Sequence, residues 1–447
     1  MDRNKKEKLQ IRTWMTCFAR LLQERFPIVV KQKTFWIALL VILALFTHET
    51  MKTANAFGGL GFPLAMVLCG MHLVWAGALV VAAIAFSRDF FVMLRCADDF
   101  LRAGFCNKAG EPPILIFRTQ QNSIMRYVFF VKGLAHSDWE ERKNKIETAL
   151  NIIILAFEEA EDKQHMVVRC VSGKSALPSV IEWPGIPESA KETEILIGQG
   201  FVQPVEINLA DHPHWLIGGA TGCGKSRLLA GMILQMLLKG YSVFLIDAKD
   251  GMDYSFARNH VSIAFETDEI VDNLEKLITT MYDRREILKQ ANVHNIDEYN
   301  KKFPQHRMHR ICLVIDEASS VFDAQAASKD EKATIQKITH DITHIGRLAR
   351  FVGIHLMIAT QRPDVNSVPG AVKANLTGRI AGHCSDDQAS ITILDDGSAT
   401  EIPAHPGRFL VRDGSMNDSM VQAYLLDEEK IDVELKKHFL KNTFNIH

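Results

Sequence analysis

The sequence has no excess of positive charge. Its 51 Lys and Arg residues are balanced by 53 Asp and Glu residues, so the formal net charge is −2. This balance excludes a protein that attracts a polyanion such as nucleic acid through its overall charge. Any such partner would have to meet a local basic patch or pore. The composition by itself neither indicates nor excludes DNA.

The sequence also has no Cys-x-x-Cys pair, although it contains eight cysteines. They are scattered along the chain, and at least two lie inside apolar runs: Cys17, Cys69, Cys96, Cys106, Cys170, Cys223, Cys312 and Cys384. We interpret them as reduced core residues rather than as a disulfide framework or a zinc site. With 447 residues the chain is long enough for two or three domains, because a single core stops growing at roughly 250 to 300 residues.

Charged residues are absent from two runs near the N-terminus. Residues 1–33 carry nine Lys and Arg against three Asp and Glu, and the uncharged run TFWIALLVILALFT follows at 34–47. This run is short, because 14 helical residues rise roughly 21 Å against a hydrocarbon core of about 30 Å. The run at 64–86 is 23 residues long and ends at Ser87 and Arg88. Its length and composition are typical of a transmembrane helix.

We therefore predict a basic cytoplasmic N-terminus over 1–33 and a transmembrane anchor over 34–88, with spans at about 34–50 and 64–86. Two spans keep the basic flanks and everything after Arg88 in the cytoplasm, as the positive-inside tendency favours. The predicted location is thus the cell membrane, with two passes. The alternative is a cleaved signal peptide with a site at Ala-Asn-Ala (54–56), although a basic leader of this length is long for one.

The segment 89–200 reads as a small α+β domain without a motif that carries chemistry. It contains predicted strands at 125–133 and 165–171. Between them we predict a helix over 136–157, which the capping box Ser137-x-x-Glu140 would open. The segment could serve protomer packing or partner docking, and the sequence leaves both open.

A glycine-rich loop lies between an apolar strand and an apolar helix. The strand HWLIG precedes Gly219-x-x-x-x-Gly224-Lys225-Ser226, and the helix follows over 227–238. This order predicts a P-loop, in which backbone N–H groups and the helix N-terminus surround a phosphate, Lys225 reaches the β- and γ-phosphates, and Ser226 binds Mg²⁺. The predicted phosphate-binding residues are Gly219, Ala220, Thr221, Gly222, Cys223, Gly224, Lys225, Ser226 and Arg227. We expect Cys223 to be packed or idle rather than catalytic.

Polar residues end two further apolar strands. RICLVIDEAS (310–319) carries Asp316 and Glu317, and GIHLMIATQRP (353–363) carries Gln361. We predict that Asp316 holds the Mg²⁺ water shell, that Glu317 polarises the attacking water and that Gln361 senses the γ-phosphate. A solvated strand end and a loop amide are the alternatives for the carboxylates and for Gln361.

With strands at 241–251 and 377–383, the segment 201–430 is predicted to be a parallel α/β nucleotide domain, followed by a tail over 431–447. The candidate groups all lie at carboxyl ends of strands, where such sheets bind their ligands. The segment 251–261, which follows the strand at 241–251, is a candidate pore loop or a surface turn.

The motifs of this domain resemble those of the FtsK/SpoIIIE family of RecA-like DNA-pumping ATPases. The resemblance covers roughly residues 200–415 and rests on these stretches, in the family's order: PHWLIGGATGCGKS, LIDAKDG, MYDRREILKQANVHNIDEYN, LVIDEAS, RLARFVGIHLMIATQRPDVNSVPGAVKANLTGRIA and TILDDG. It implies an ATP- and Mg²⁺-dependent ATPase that forms a homo-hexameric ring, with ATP between subunits and DNA in the pore. The loop then corresponds to Walker A and Asp316-Glu317 to Walker B.

Basic positions of the family near the subunit interface or pore correspond to Arg362, Lys373 and Arg379, which could also be solvated surface charges. Ile391 stands where many relatives have an arginine. Whatever contact that arginine makes cannot be carried over, so the resemblance gives no arginine finger.

Two spans and a single motor domain are similar to the TcpA-like coupling proteins of Gram-positive conjugative elements. This resemblance implies a membrane-anchored DNA translocase that delivers relaxase-bound DNA to a transfer channel, with the relaxase and channel proteins as partners. The alternatives are a chromosome or plasmid DNA pump, a type VII-like protein-export ATPase, and a membrane adaptor that binds ATP without motor activity.

Overall fold

The computed structural model describes residues 88–436 except 122, 161, 176, 188, 250, 326, 362–366, 415–417, 427–430 and 432. Before residue 88 it describes isolated positions: Met15, Ala19, His48, Lys52, Val67, Gly70, Met71, Val74 and Trp75. Apart from a few of these positions, the two predicted spans lie outside the described residues. Within the described part of the chain, no helix combines the length and the hydropathy needed to cross a membrane.

The chain divides into two compact units, Met1–Ser175 and Ala176–His447. The described elements of the first unit are α1 (Arg88–Arg102), β1 (Ile114–Gln121), β2 (Ile124–Phe130), α2 (His136–Glu140), α3 (Lys143–Leu150), β3 (Ile152–Glu159) and β4 (His165–Ser172). Its strands form an antiparallel sheet in the order β1-β2-β4-β3. The core of this unit is aromatic, with Trp139 fully buried among Phe100, Phe105 and Phe129.

The helix predicted over 136–157 is wrong in its second half. It divides into α2 and α3, and Asn151 then ends α3 in the left-handed conformation, at φ 51°. The β-branched run Ile152–Ile154 continues as β3, where it pairs with β4. The predicted capping box is also not the observed one, because Asp138 Oδ2 accepts the N–H of Ala135 at 2.7 Å.

The second unit is built on one large mixed sheet. Its strands are β5 (Glu194–Gly200), β6 (Pro204–Asn208), β7 (His214–Gly218), β8 (Ser242–Ile246), β9 (Ser262–Ala264), β10 (Ile311–Ile315), β11 (Ile354–Thr360), β12 (Gly378–Gly382), β13 (Arg408–Arg412) and β14 (Asp418–Ala423). Its helices are α4 (Lys225–Leu238), α5 (Thr267–Ala291), α6 (Ile296–Lys302), α7 (Ser319–Phe322), α8 (Lys329–Leu348), α9 (Gly370–Lys373) and α10 (Asp387–Leu394).

The ten strands run in the order β6-β5-β14-β13-β12-β7-β11-β10-β8-β9. From β12 to β9 all neighbours are parallel, which confirms the strands predicted from the sequence and places β7 beside β11. On the other side of β12 the sheet continues with antiparallel neighbours. Because β5 belongs to this sheet, the boundary between the two units lies at Ser175, whereas the sequence prediction had placed it at residue 200.

Side chains of the central strands alternate between two hydrophobic cores. Trp215 and Ile217 of β7 face the core that contains α4, whereas Leu216 faces the core that contains α5 and α8. Because both faces are covered by helices, these strands are apolar along their whole length. The polar groups are displaced to the ends of the strands, and the candidate site lies where β7, β8, β10 and β11 finish.

Candidate active site

The loop between β7 and α4 depends on glycines at positions that other residues rarely occupy. Gly219, Gly222 and Gly224 have φ angles of 149°, 86° and 100°. A side chain at Gly224 would place its Cβ 2.9 Å from the backbone nitrogen of Gly407. The loop therefore packs directly against a neighbouring turn, and its backbone stays accessible on the other side.

Backbone hydrogen bonds hold the loop in place at both ends. The N–H of Ala220 donates to the carbonyl of His383 at 2.9 Å, and the N–H of Gly407 donates to the carbonyl of Cys223 at 2.7 Å. Cys223 is buried, and burial raises the pKa of its thiol, so this residue is packed. Thr221, Gly222 and Arg227 are exposed at the mouth of the loop.

Lys225 is buried at the start of α4 and reaches across to the end of β10. Its Nζ donates to the backbone carbonyl of Asp316 at 2.5 Å and lies 3.3 Å from Asp316 Oδ1. Both side chains are almost inaccessible, at 3% and 2% exposure. The pair is a buried ion pair whose ammonium sits beside the glycine loop.

Asp316 has a second partner that lies far away in the sequence. Tyr254 donates its hydroxyl to Asp316 Oδ1 at 2.7 Å, and its side chain is fully buried. Tyr254 belongs to a 3-10 helix, Met252–Ala257, that follows β8. The segment predicted as a pore loop or a surface turn is thus attached to the site by one side chain, while Met252 is 73% exposed.

Glu317, the next residue, is held by hydrogen bonds from three directions. Its Oε1 accepts from the hydroxyl of Ser319 at 2.9 Å and from the hydroxyl of Thr360 at 3.0 Å. Its Oε2 accepts the backbone N–H of Gln361 at 2.8 Å. The carboxylate is therefore fixed between the ends of β10 and β11, rather than solvated as an ordinary strand end.

Gln361 links the end of β11 to the glycine loop, because its Oε1 accepts a hydrogen bond from the Thr221 hydroxyl at 3.4 Å. The structure thus brings the loop, Lys225, Asp316, Glu317 and Gln361 together at one edge of the sheet. Arg362 lies outside the described residues.

The two other basic candidates make ion pairs within the chain. Lys373 Nζ lies 2.7 Å from Asp395 Oδ1 and donates to the carbonyl of Ile391 at 3.1 Å. Arg379 is mostly buried, lies 3.8 Å from Asp395 Oδ2, and has a pKa that burial lowers from its usual value. Ile391 is 43% exposed on α10. The structure thus places Lys373 and Arg379 beside Asp395.

The donor set fits a nucleoside triphosphate with Mg²⁺. The helix α4 begins at Gly224 without a side-chain cap, so its first turn offers N–H groups and partial positive charge to a phosphate. Lys225 supplies a full positive charge beside that turn. Among the described residues, no three His, Cys, Asp or Glu side chains form a metal cluster. Mg²⁺ in nucleotide sites is usually held by one or two protein side chains together with the phosphates of the nucleotide. Ser226 and Asp316 fit this pattern.

Two residues of the site escaped the sequence analysis, Tyr254 and Thr360. Tyr254 lies 62 positions from Asp316 in the sequence. No local sequence pattern predicts a tertiary hydrogen bond over that separation. Thr360 has a signal, because it is the last residue of a fully buried apolar strand and its hydroxyl must find a partner there.

Comparison with known proteins identifies the domain. Residues 188–365 match the model of the FtsK/SpoIIIE family. DNA translocase FtsK of Caldanaerobacter subterraneus subsp. tengcongensis is 30% identical over 279 residues, which are 61% of this chain and 38% of that protein. DNA translocase FtsK of Staphylococcus epidermidis is 31% identical over 263 residues, 55% of this chain and 32% of that protein. The chain spans about a third of the length of these relatives.

One solved structure is similar along almost its entire length. It is the pCW3 conjugation coupling protein TcpA in a monomer form with ATPγS, with 27% sequence identity and a TM-score of 0.58. The similarity covers 77% of this chain and 98% of that chain. Together with the glycine loop and the paired carboxylates, these matches show that the chain carries a P-loop ATPase domain, whose residues 188–365 match the FtsK/SpoIIIE family model.

Proposed function

We propose that this chain is a membrane-anchored, ATP-driven DNA translocase and that it acts as the coupling protein of conjugative DNA transfer. The observation that carries the proposal is the match to TcpA, which covers 98% of that chain and 77% of this one and so includes more than the ATPase domain. The partners of the proposed function are DNA, a relaxase attached to it and the proteins of a transfer channel.

The side chains of the site have distinct roles in the proposed hydrolysis. Lys225 exchanges the Asp316 carboxylate for the β- and γ-phosphate oxygens, which the adjacent helix N-terminus also attracts. Ser226 and Asp316 would hold a Mg²⁺ ion, which would supply charge neutralisation at the phosphates. Glu317 accepts a proton from the attacking water, and its three donors keep it oriented. Gln361, bonded to Thr221 of the loop, is placed to respond to the γ-phosphate.

The membrane anchor rests on the two uncharged runs at 34–47 and 64–86. The described positions of the second run support it, because Val67, Met71, Val74 and Trp75 are helical and each is more than half exposed. Apolar side chains in that state suit contact with lipid. In the proposed assembly the motor domains face the cytoplasm and form a homo-hexameric ring around DNA.

The candidate contacts to DNA or to a neighbouring subunit are Arg362, Lys373 and Arg379. In the isolated chain Lys373 and Arg379 share Asp395. A contact with DNA would therefore require either residue to exchange this carboxylate for a phosphate. DNA recognition of this kind follows the backbone and is sensitive to salt, with little reading of bases.

A second candidate function is a chromosome or plasmid DNA pump. The FtsK relatives favour it, since they are 30% and 31% identical to this chain over more than half of its length. Both candidates share ATP-driven DNA movement and differ in whether the DNA leaves the cell.

The test combines DNA-stimulated ATP hydrolysis with mating efficiency. Lys225→Ala should lower both by at least about a hundredfold, because a P-loop without its lysine loses phosphate binding. The matched control is Lys289→Ala, which removes a lysine that is 62% exposed and paired with Glu286.

Loss of hydrolysis with unchanged mating would support a membrane adaptor that binds ATP without motor activity. Stimulation of hydrolysis by a substrate peptide but not by DNA would support protein export. Defective plasmid partition with normal mating would support the second candidate.

A further inference from the structure

The Asp316 carboxylate is shared by two donors of different kinds. One oxygen, Oδ1, accepts the Tyr254 hydroxyl at 2.7 Å and lies 3.3 Å from the Lys225 ammonium. Lys225 is the group that a triphosphate would attract away, because phosphate oxygens offer it a stronger counter-charge. The Tyr254 hydroxyl is uncharged and has no such competing partner. When Lys225 leaves, Tyr254 is therefore the donor that stays.

The Tyr254 side chain is built to stay in place. Its ring is fully buried in the same hydrophobic core as α4. A phenol hydroxyl carries its proton at physiological pH. A protonated hydroxyl beside a carboxylate can serve only as the donor.

The turn that leads to Tyr254 is fixed as well. Asp247, directly after β8, accepts the N–H of Gly251 at 2.8 Å and that of Lys249 at 3.2 Å. Gly251 adopts φ 68°, which reverses the chain into the 3-10 helix. An ion pair of 2.8 Å between Lys249 and Asp253 crosses the same turn. Tyr254 thus follows a turn whose described residues have hydrogen bonds of their own.

We propose that Tyr254 is a positioning residue of the ATP site, whose hydroxyl orients the Asp316 carboxylate for the Mg²⁺ shell after Lys225 has moved to the phosphates. Oδ1 would keep its hydrogen bond from Tyr254, which would leave Oδ2 available to the Mg²⁺ shell. The inference rests on the proposed use of ATP and Mg²⁺ and adds a residue to that site.

The test is the Mg²⁺ dependence of ATPγS binding to the full-length Tyr254→Phe variant. Phenylalanine keeps the buried ring and removes the hydroxyl. Because the lost hydroxyl donates to a charged group, the Mg²⁺ concentration for half-maximal ATPγS binding should rise by about tenfold or more. In EDTA, where no metal is present, ATPγS affinity should stay within about twofold of the unchanged chain. A residue that is merely structural would lower thermal stability without this split.

Tyr241→Phe is the matched control. Tyr241 is also buried in the ATPase domain and donates its hydroxyl to one acceptor, the carbonyl of Glu192 at 3.2 Å, but it precedes β8 whereas Tyr254 follows it. This variant should leave the Mg²⁺ dependence unchanged. The Asp316→Asn variant completes a double-mutant cycle, and Tyr254→Phe should add little to it because the shared carboxylate is already altered.

An equal Mg²⁺ dependence in Tyr254→Phe and in the unchanged chain overturns the proposal, and so does full additivity with Asp316→Asn. Failure of the proposed function gives a different result, because the unchanged chain would then bind ATPγS but show no hydrolysis stimulated by DNA. Absence of ATPγS binding by the unchanged chain would overturn both.

Discussion

The two edges of the parallel strands bury polar side chains in different ways. At the carboxyl edge Lys225 and Asp316 form a buried ion pair, and Glu317 accepts hydrogen bonds from two strand ends. At the amino edge, His214 begins β7 and His355 lies near the start of β11, both buried. The carboxyl edge thus holds an ion pair beside the glycine loop, whereas the amino edge holds two buried imidazoles and the ion pair of Arg310 with Asp297.

The buried polar side chains at the amino edge have hydrogen-bond partners within the protein that a nucleotide would not replace. His355 Nδ1 lies 3.2 Å from the carbonyl of Pro213, so Nδ1 carries the proton, and its Nε2 faces the Arg310 guanidinium at 3.4 Å. Arg310 pairs with Asp297. His214 Nδ1 accepts the N–H of Leu356 at 3.0 Å. These contacts fix the register of the strands.

The same sheet thus uses buried polar groups for stability at its amino edge and for the exchange of one anionic partner for another at its carboxyl edge. Lys225 can trade a carboxylate for a phosphate, because both are anions. A neutral imidazole that accepts a backbone N–H has no ligand group for which it could exchange that partner. We therefore expect substitutions at the carboxyl edge to alter activity and those at the amino edge to alter stability.

The largest expected effect is that of Glu317→Gln on hydrolysis. An amide cannot accept the proton of the attacking water, so the ATP turnover rate should fall by at least about a hundredfold. ATPγS affinity and the unfolding midpoint in urea should change little, because the amide keeps the size of the side chain. Glu269→Gln, at the start of α5, is the control. A loss of stability comparable to the loss of activity would contradict the division between the two edges.

At the amino edge, Asp297→Asn should have the opposite profile. The variant removes the counter-charge of Arg310, whose side chain is 2% exposed. A buried charge without its partner is costly, so the free energy of unfolding should fall by about 2 kcal/mol while ATPγS affinity stays unchanged. Asp330→Asn replaces another acidic residue in a first helical turn, on exposed α8 surface, and should be nearly neutral. The measurement is urea unfolding alongside nucleotide titration.

The next effect is a loss of stability in mild acid. Burial lowers the pKa of His214 from 6.5 to about 4, so the folded chain stays neutral there while the unfolded chain takes up a proton below about pH 6.5. Stability is therefore complete above pH 6.5 and falls as the pH drops towards 4, by about 1.4 kcal/mol at pH 5.5. Burial lowers the pKa of His355 in the same direction.

The pH effect is checked by urea unfolding at pH 7.5 and pH 5.5. His214→Asn should reduce the difference between the two free energies of unfolding, because asparagine does not titrate. His340→Asn, at an exposed position of α8, should leave the difference unchanged. An unchanged difference in His214→Asn would show that the acid sensitivity lies elsewhere.

The sequence predicted the carboxyl edge better than the amino edge for a physical reason. Apolar strands that end in Asp316-Glu317 or Gln361 follow each other in a parallel sheet, and their carboxyl ends must meet at one edge. The partners of Arg310 and His355 are a surface carboxylate and backbone carbonyls, which leave no pattern in the sequence.

Contacts across long sequence distances were also missed. β5 pairs with β14 from the far end of the domain, so the domain boundary could not be located from local composition. The run Asn151–Phe157 fits a helix and a strand equally well by periodicity. The choice is made by pairing with β4 and by the left-handed Asn151.

The smallest effect is expected for Thr360→Val. This residue is buried like those of the amino edge, but it contacts the site at the carboxyl edge. Thr360 is fully buried at the end of β11, and its hydroxyl donates to Glu317 Oε1 at 3.0 Å. Valine keeps the shape and the strand propensity, while Glu317 retains Ser319 and the Gln361 N–H as donors. The turnover rate should therefore fall by about fivefold, which corresponds to an increase of roughly 1 kcal/mol in the activation barrier, with ATPγS affinity unchanged.

Thr343→Val is the control. The Thr343 hydroxyl donates to the carbonyl of Thr339 within α8 and not to a residue of the site. If Thr360→Val lowered stability and left turnover unchanged, Thr360 would serve stability, as the residues of the amino edge do. Hydrogen bonding of Glu317 would then not limit hydrolysis.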